Sequence, residues 1–76
     1  AVAAEAVAAL TESLQDNDVE VRCQAANALG QIGPDATAAL PALMVALKED
    51  NEQVHRSIVL ALQQIDPETA AKTGAK

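Results

Sequence analysis

The sequence predicts an all-helical fold, an α-solenoid of two stacked helical hairpins with about four main helices, and three observations lead there. Half of its 76 residues are apolar, yet none is aromatic. The apolar set is largely Ala, Leu, Val and Ile, which suits close helix packing better than sheets. Those residues recur at the spacing of a helix face. The chain also repeats itself with a period of 33: Leu10, Leu14, Val21, Ala28, Leu29, Ile32 and Pro34 match Leu43, Leu47, Val54, Ala61, Leu62, Ile65 and Pro67. Most matched pairs are apolar, so the repeated property is a packing pattern.

The elements follow in order. Val7, Leu10 and Leu14 fall at i, i+3 and i+7 and mark a first helix. A polar turn, Asp16-Asn17-Asp18, separates it from the next helix. Asp18 is placed to cap that second helix, with Glu20 in the first turn, where the helix dipole favours a carboxylate. Val21, Ala25, Ala28, Leu29 and Ile32 form its apolar stripe. Gly33 before Pro34 reads as a stop, because Gly can take a left-handed conformation and Pro cannot continue the hydrogen-bond ladder. Pro41 would break a long helix, so Asp35 to Ala39 is expected to form a short turn or separate helical piece.

The second unit then restates the first. Leu40, Leu43 and Leu47 repeat the first stripe, Asn51 followed by Glu52 repeats the cap, and Val54, Ile58, Ala61, Leu62 and Ile65 repeat the second stripe. Asp66-Pro67 is a weaker stop. The expected organisation is one domain, 1–76, with repeat 1 at about 1–33, repeat 2 at about 34–67 and a frayed tail at 68–76.

DNDVEVRCQAANALGQIG, from Asp16 to Gly33, resembles the second-helix signature of HEAT repeats, in the short class first noted in phycobilisome lyases. The matching residues are Asp18, Val21, Arg22, Ala25, Ala26, Ala28, Leu29, Gly30, Ile32 and Gly33. PALMVALKEDN, from Pro41 to Asn51, is similar to the next first helix and its turn. The resemblance implies right-handed stacking of hairpins, and a structural role for Arg22 in bonding the acidic turn and aligning neighbouring repeats. Repeat 2 departs from the pattern: His55 replaces Arg, Ile58 and Val59 replace Ala25 and Ala26, Gln63 replaces Gly30, and Asp66 replaces Gly33. Terminal repeats of such arrays are atypical, so repeat 2 reads as a C-terminal cap.

Composition narrows the function. The net charge of −6 repels phosphate backbones and anionic membranes, so neither nucleic acid nor a membrane is an expected partner. No run is long and apolar enough to span a bilayer. Cys23 is the lone cysteine and cannot form an internal disulfide, which fits a reducing, cytoplasmic setting. It lies about 200° around the helix from Val21, which predicts partial exposure. A reactive thiol would need a base, and no His is near it in sequence. His55 lacks the convergent partners of a metal ligand or general base. The acidic turns Asp16, Asn17, Asp18, Glu20 and Glu49, Asp50, Asn51, Glu52 lack the architecture of an EF-hand, and capping explains them. No catalytic, cofactor or metal site is expected.

The expected function is a non-enzymatic scaffold for protein–protein interaction or self-assembly, with a candidate surface on the second helices at Arg22, Cys23, Asn27, Arg56 and Leu60. Two repeats are fewer than such arrays need, which implies either a longer array or a homo-oligomer. Thr11 and Glu12 become Met44 and Val45 in repeat 2, and Asn27 becomes Leu60. Some of these larger residues have the preceding repeat to pack against, whereas Leu60 lies roughly opposite the core stripe and is expected to have no partner within the chain. The resemblance implies an alternative, a subunit or fragment of a phycocyanobilin lyase, for which a chain without aromatics builds a poor chromophore pocket.

Overall fold

A computed structural model describes residues 2–48 and 51–72. Among the described residues it contains α1 (Val2–Ser13), α2 (Val19–Ile32), a 3-10 segment (Gly33–Ala39), α3 (Leu40–Ala46), α4 (Glu52–Ile65) and α5 (Pro67–Lys72). No strand is present among them.

Local chemistry sets the boundaries. At the end of α1 the Leu14 amide donates to the carbonyls of both Leu10 and Thr11, and Gln15 and Asp16 donate three residues back, tightening the chain into the turn. Asp16 Oδ1 accepts from the Asp18 amide at 2.8 Å, and Asp18 Oδ1 accepts from the Glu20 amide at 2.9 Å. The second of these bonds is the expected cap of α2. Asn51 caps α4 in the same place, accepting from the Val54 amide at 3.1 Å. The Glu49 and Asp50 part of the second acidic turn lies outside the described residues.

The two stops differ in mechanism. Gly33 ends α2 with φ 79° and ψ −143°, a positive-φ region that is essentially restricted to glycine. Its amide still reaches the Leu29 carbonyl. Pro34 then opens the 3-10 segment, the separate helical piece expected before Pro41, with Ala36 and Ala39 buried. Asp66 ends α4 in an extended conformation, φ −151°, which any residue adopts. Its carboxylate turns forward and caps the next helix, accepting from the Thr69 hydroxyl at 2.8 Å and from the Glu68 and Thr69 amides at 3.2 and 3.4 Å.

Pro67–Lys72 is therefore helical, where the sequence suggested a frayed tail. Pro at the first helical position has no amide to leave unbonded, Asp66 supplies the cap, and Ala70 is buried at the end of the chain's core. Sequence periodicity missed α5 because a helix of six residues is too short to show a stripe.

The core is aliphatic and contains no buried polar or charged side chain among the described residues. Leu29, Leu43, Val54, Ile58 and Leu62 are its fully buried large residues, set among buried alanines. The most extensive helix pair is α2 with α4. Small residues allow this: a Cβ placed on Gly30 would lie 3.1 Å from the Ala61 Cα and run into the Gln64 side chain. The first helices form no comparable pair, since α1 leans on α2 and the 3-10 segment while α3 leans on α4. The result is a tight row of second helices backed by a looser row of first helices.

Candidate interaction surface

The second helices carry the candidate surface, and the structure separates its five members. Asn27 and Leu60, equivalent under the 33-residue period, are both exposed, as is Arg56. Leu60 keeps half of its surface in solvent. A leucine in that state leaves about 1 kcal/mol of burial unrealised. Arg56 lies 3.7 Å from Glu52, one turn earlier, with both side chains largely in water. Such a pair contributes at most a few tenths of a kcal/mol and leaves the guanidinium open to other anions.

Arg22 is partly buried and turned toward the chain itself: its Nη1 donates to the Asp16 carbonyl at 2.7 Å. The bond ties Arg22 to the acidic turn through a backbone carbonyl rather than a carboxylate. His55, at the equivalent position, has Nδ1 3.2 Å from the Leu47 carbonyl oxygen, a contact in which the ring must donate its Nδ1 proton. The Arg22 guanidinium ties the α1–α2 turn, and the shorter His55 ring ties the end of α3 to α4.

Cys23 departs from its expected exposure. Only 5 % of its surface is accessible, and it belongs to the core. The angular reading was correct but assumed one buried stripe. A second helix inside a stack has two: Val21, Ala25 and Ala28 on one side, and Cys23, Ala26 and Gly30 on the side that meets α4. The signal was present as small residues at i, i+3 and i+7, replaced in repeat 2 by Arg56, Val59 and Gln63. Cys23 is an inter-repeat packing residue and drops out of the accessible surface.

Met44 and Val45 are large aliphatic side chains on the first-helix row. They keep 42 % and 67 % of their surface exposed. Val45 borders a shallow depression shared with Leu14, Gln15, Pro41, Ala42 and Ala46, where the looser first-helix row opens. Among the described residues no three His, Cys, Asp or Glu side chains converge. No helix there is long and apolar enough to cross a membrane.

A family model for HEAT repeats matches residues 7–73, and the chain belongs to that family of helical-repeat proteins. The match spans both hairpins and α5, so it covers the same duplication that the aliphatic spacing shows. It does not single out the short lyase-type class. No curated protein and no solved structure matches the chain.

Proposed function

We propose that the chain is a non-enzymatic helical-repeat scaffold that engages a protein through the exposed side of its second helices, with Asn27, Arg56 and Leu60 as contact residues. HEAT repeats generally serve as protein-interaction scaffolds. The observation that carries this reading is Leu60, a large aliphatic side chain half in solvent on a helix whose equivalent residue is Asn27. Met44 and Val45 add exposed aliphatic area on repeat 2. A second copy of the chain is the simplest protein partner for such patches, since closed pairing covers them on both copies. A reducing cytoplasm suits a core cysteine with no disulfide.

The test places a photo-cross-linking side chain at position 60 in the source cell and, as control, at Glu12 on the first helix. The expected result is capture of one defined protein, or of a second copy, from position 60 only. Equal capture at both positions, or none at either, overturns the reading. Solution mass at high and low concentration then separates self-association from a different partner: a Leu60→Asn change is expected to reduce any concentration-dependent mass.

A further inference from the structure

We propose that the seam between α1 and the wall formed by the 3-10 segment and α3 is a docking groove for an amphipathic helix of another protein, one that flanks a stripe of aliphatic side chains with lysine or arginine. The groove lies on the first-helix row, so the inference goes beyond the second-helix surface around Leu60 and does not rest on it.

Two depressions lie end to end along this seam. The first, of about 380 Å³, has Ala4, Val7, Ala8 and Thr11 on one wall and Asp35 and Ala38 on the other. The second, of about 270 Å³, is the one beside Val45, where Leu14 and Gln15 face Pro41 and Ala42. Both walls advance together, α1 from Ala4 to Gln15 and the opposite wall from Asp35 to Ala46. The two depressions therefore make one trough about three helical turns long, roughly 16 Å. It stays open because α1 and α3 form no packed pair comparable to α2 with α4. Its floor is the buried Val7 and Leu14. The Thr11 hydroxyl already donates to the Val7 carbonyl at 2.6 Å, which leaves that stretch of wall apolar.

The known ways of taking up a segment leave one for this trough. Adding a strand needs a sheet edge, and no strand is present among the described residues. A polyproline segment docks in an aromatic-lined groove, and the chain has no aromatic residue. A phosphorylated or acidic segment is held by clustered arginines, and no Arg or Lys lines either depression. What remains is a helix laid in a groove by apolar side chains at i, i+3 or i+4 and i+7, a span that three turns accommodate.

Charge decides the flanks of that helix. Glu5 and Glu12 stand one residue, about 100°, past Ala4 and Thr11, on the rim of the trough away from the core. Both are exposed, as is Asp35 in the opposite wall. A helix lying between them meets carboxylates on both sides, which attract cationic flanks and repel acidic ones. A second copy of the chain, at net charge −6, is disfavoured in this groove for the same reason.

A peptide titration of the full chain tests this. The probes are stapled helices of about four turns with a Leu/Ala stripe, flanked by Lys in one set and by Glu in the other, and the readout is movement of the chain's amide signals. The Lys-flanked helix is expected to move signals of α1, the 3-10 segment and α3, and to bind roughly tenfold or more tightly than the Glu-flanked one at low salt. The E5Q/E12Q/D35N chain is expected to lose most of that preference. Ala8 is exposed, so Ala8→Arg leaves the urea midpoint unchanged while blocking the trough and abolishing the shifts. Absence of movement along the seam with the Lys-flanked helix overturns the proposal, and so does unaltered binding to the Ala8→Arg chain. Equal affinity for the two flanks overturns the cationic occupant. Concentration-dependent movement of the same signals in the chain alone assigns the trough to a second copy and overturns the proposal as well. A cross-linker at Glu12 reports the rim of this trough, so a protein captured there and distinct from the one at Leu60 leaves the second-helix reading untouched.

Discussion

Leu10 and Leu43 occupy the same place in the two repeats, yet Leu43 has no accessible surface and Leu10 keeps part of its own. Cys23 and Arg56 show the opposite trend, the first buried and the second exposed. In a stacked array a position's burial depends on which neighbour lies beside it. Repeat 1 has its small-residue side covered and leaves Leu10, Val21 and Ala28 only partly buried, although Val7, Leu14 and Ala25 are buried. Repeat 2 buries Leu43, Val54 and Ala61 and turns Arg56 and Gln63 outward. Residue type has adjusted to this on repeat 2, where Arg56 and Gln63 stand in place of Cys23 and Gly30.

The sharpest way to break this comparison is to cut the same side chain from both repeats. Leu43→Ala is expected to cost about 2–5 kcal/mol, as for other fully buried leucines, while Leu10→Ala costs about half as much or less. Urea unfolding of the two variants measures the difference. Equal losses would show that the open side of repeat 1 is covered in solution.

Exchanging the residues at the interface comes next. Gly30→Gln is expected to destabilise by about 1–3 kcal/mol, because the added atoms have only the Ala61 backbone and the Gln64 side chain to displace. The reciprocal Gln63→Gly is exposed and loses only helix propensity, about 0.5–1 kcal/mol. Thermal midpoints of the pair give the ordering.

A chemical probe sharpens the contrast without a large change in stability. Native Cys23 is expected to react with a thiol reagent only at the rate of local opening, whereas a C23A/R56C double variant reacts at once. Labelling kinetics followed by mass decide this, and fast labelling of Cys23 in the unaltered chain would contradict its burial.

The smallest expected effect is at the C-terminal stop. Hydrogen bonds from the Thr69 hydroxyl and amide hold the Asp66 carboxyl below its usual range. A lowered folded value means that its contribution is fully present above the ordinary carboxylate pKa and is lost as pH falls through the lowered one. The Thr69 amide signal is expected to move in that acid window, and Asp66→Asn to abolish the movement. A matching midpoint in the Asn variant would assign it to another group.

Much of the architecture was legible because its causes are local. Asp18 and Asn51 cap where a short polar side chain precedes an apolar-periodic run, and Gly33-Pro34 stops α2 because only glycine takes that backbone geometry. Two features escaped. α5 depends on a single cap and one buried alanine, too little for a periodic signal. Cys23 depends on a second buried stripe, which one helix taken alone does not reveal.

The candidate surface was legible in part. Asn27 and Leu60 are exposed because they lie away from both stripes, and Arg56, at the place of Cys23, is exposed because no helix among the described residues covers that side of α4 as α4 covers α2. Arg22 is drawn back to the Asp16 carbonyl, and Met44 and Val45 stay partly in solvent on the first-helix row.

By itself the sequence determined the helices, their caps and stops, the 33-residue period and the aliphatic stripes, since each follows from residue chemistry within a few turns of the chain. Tertiary structure decided which side of each stripe is covered. That choice rests on the approach of α2 to α4 at Gly30, a contact between residues about one repeat apart, which leaves Leu10, Val21 and Ala28 less covered than Leu43, Val54 and Ala61 among the described residues.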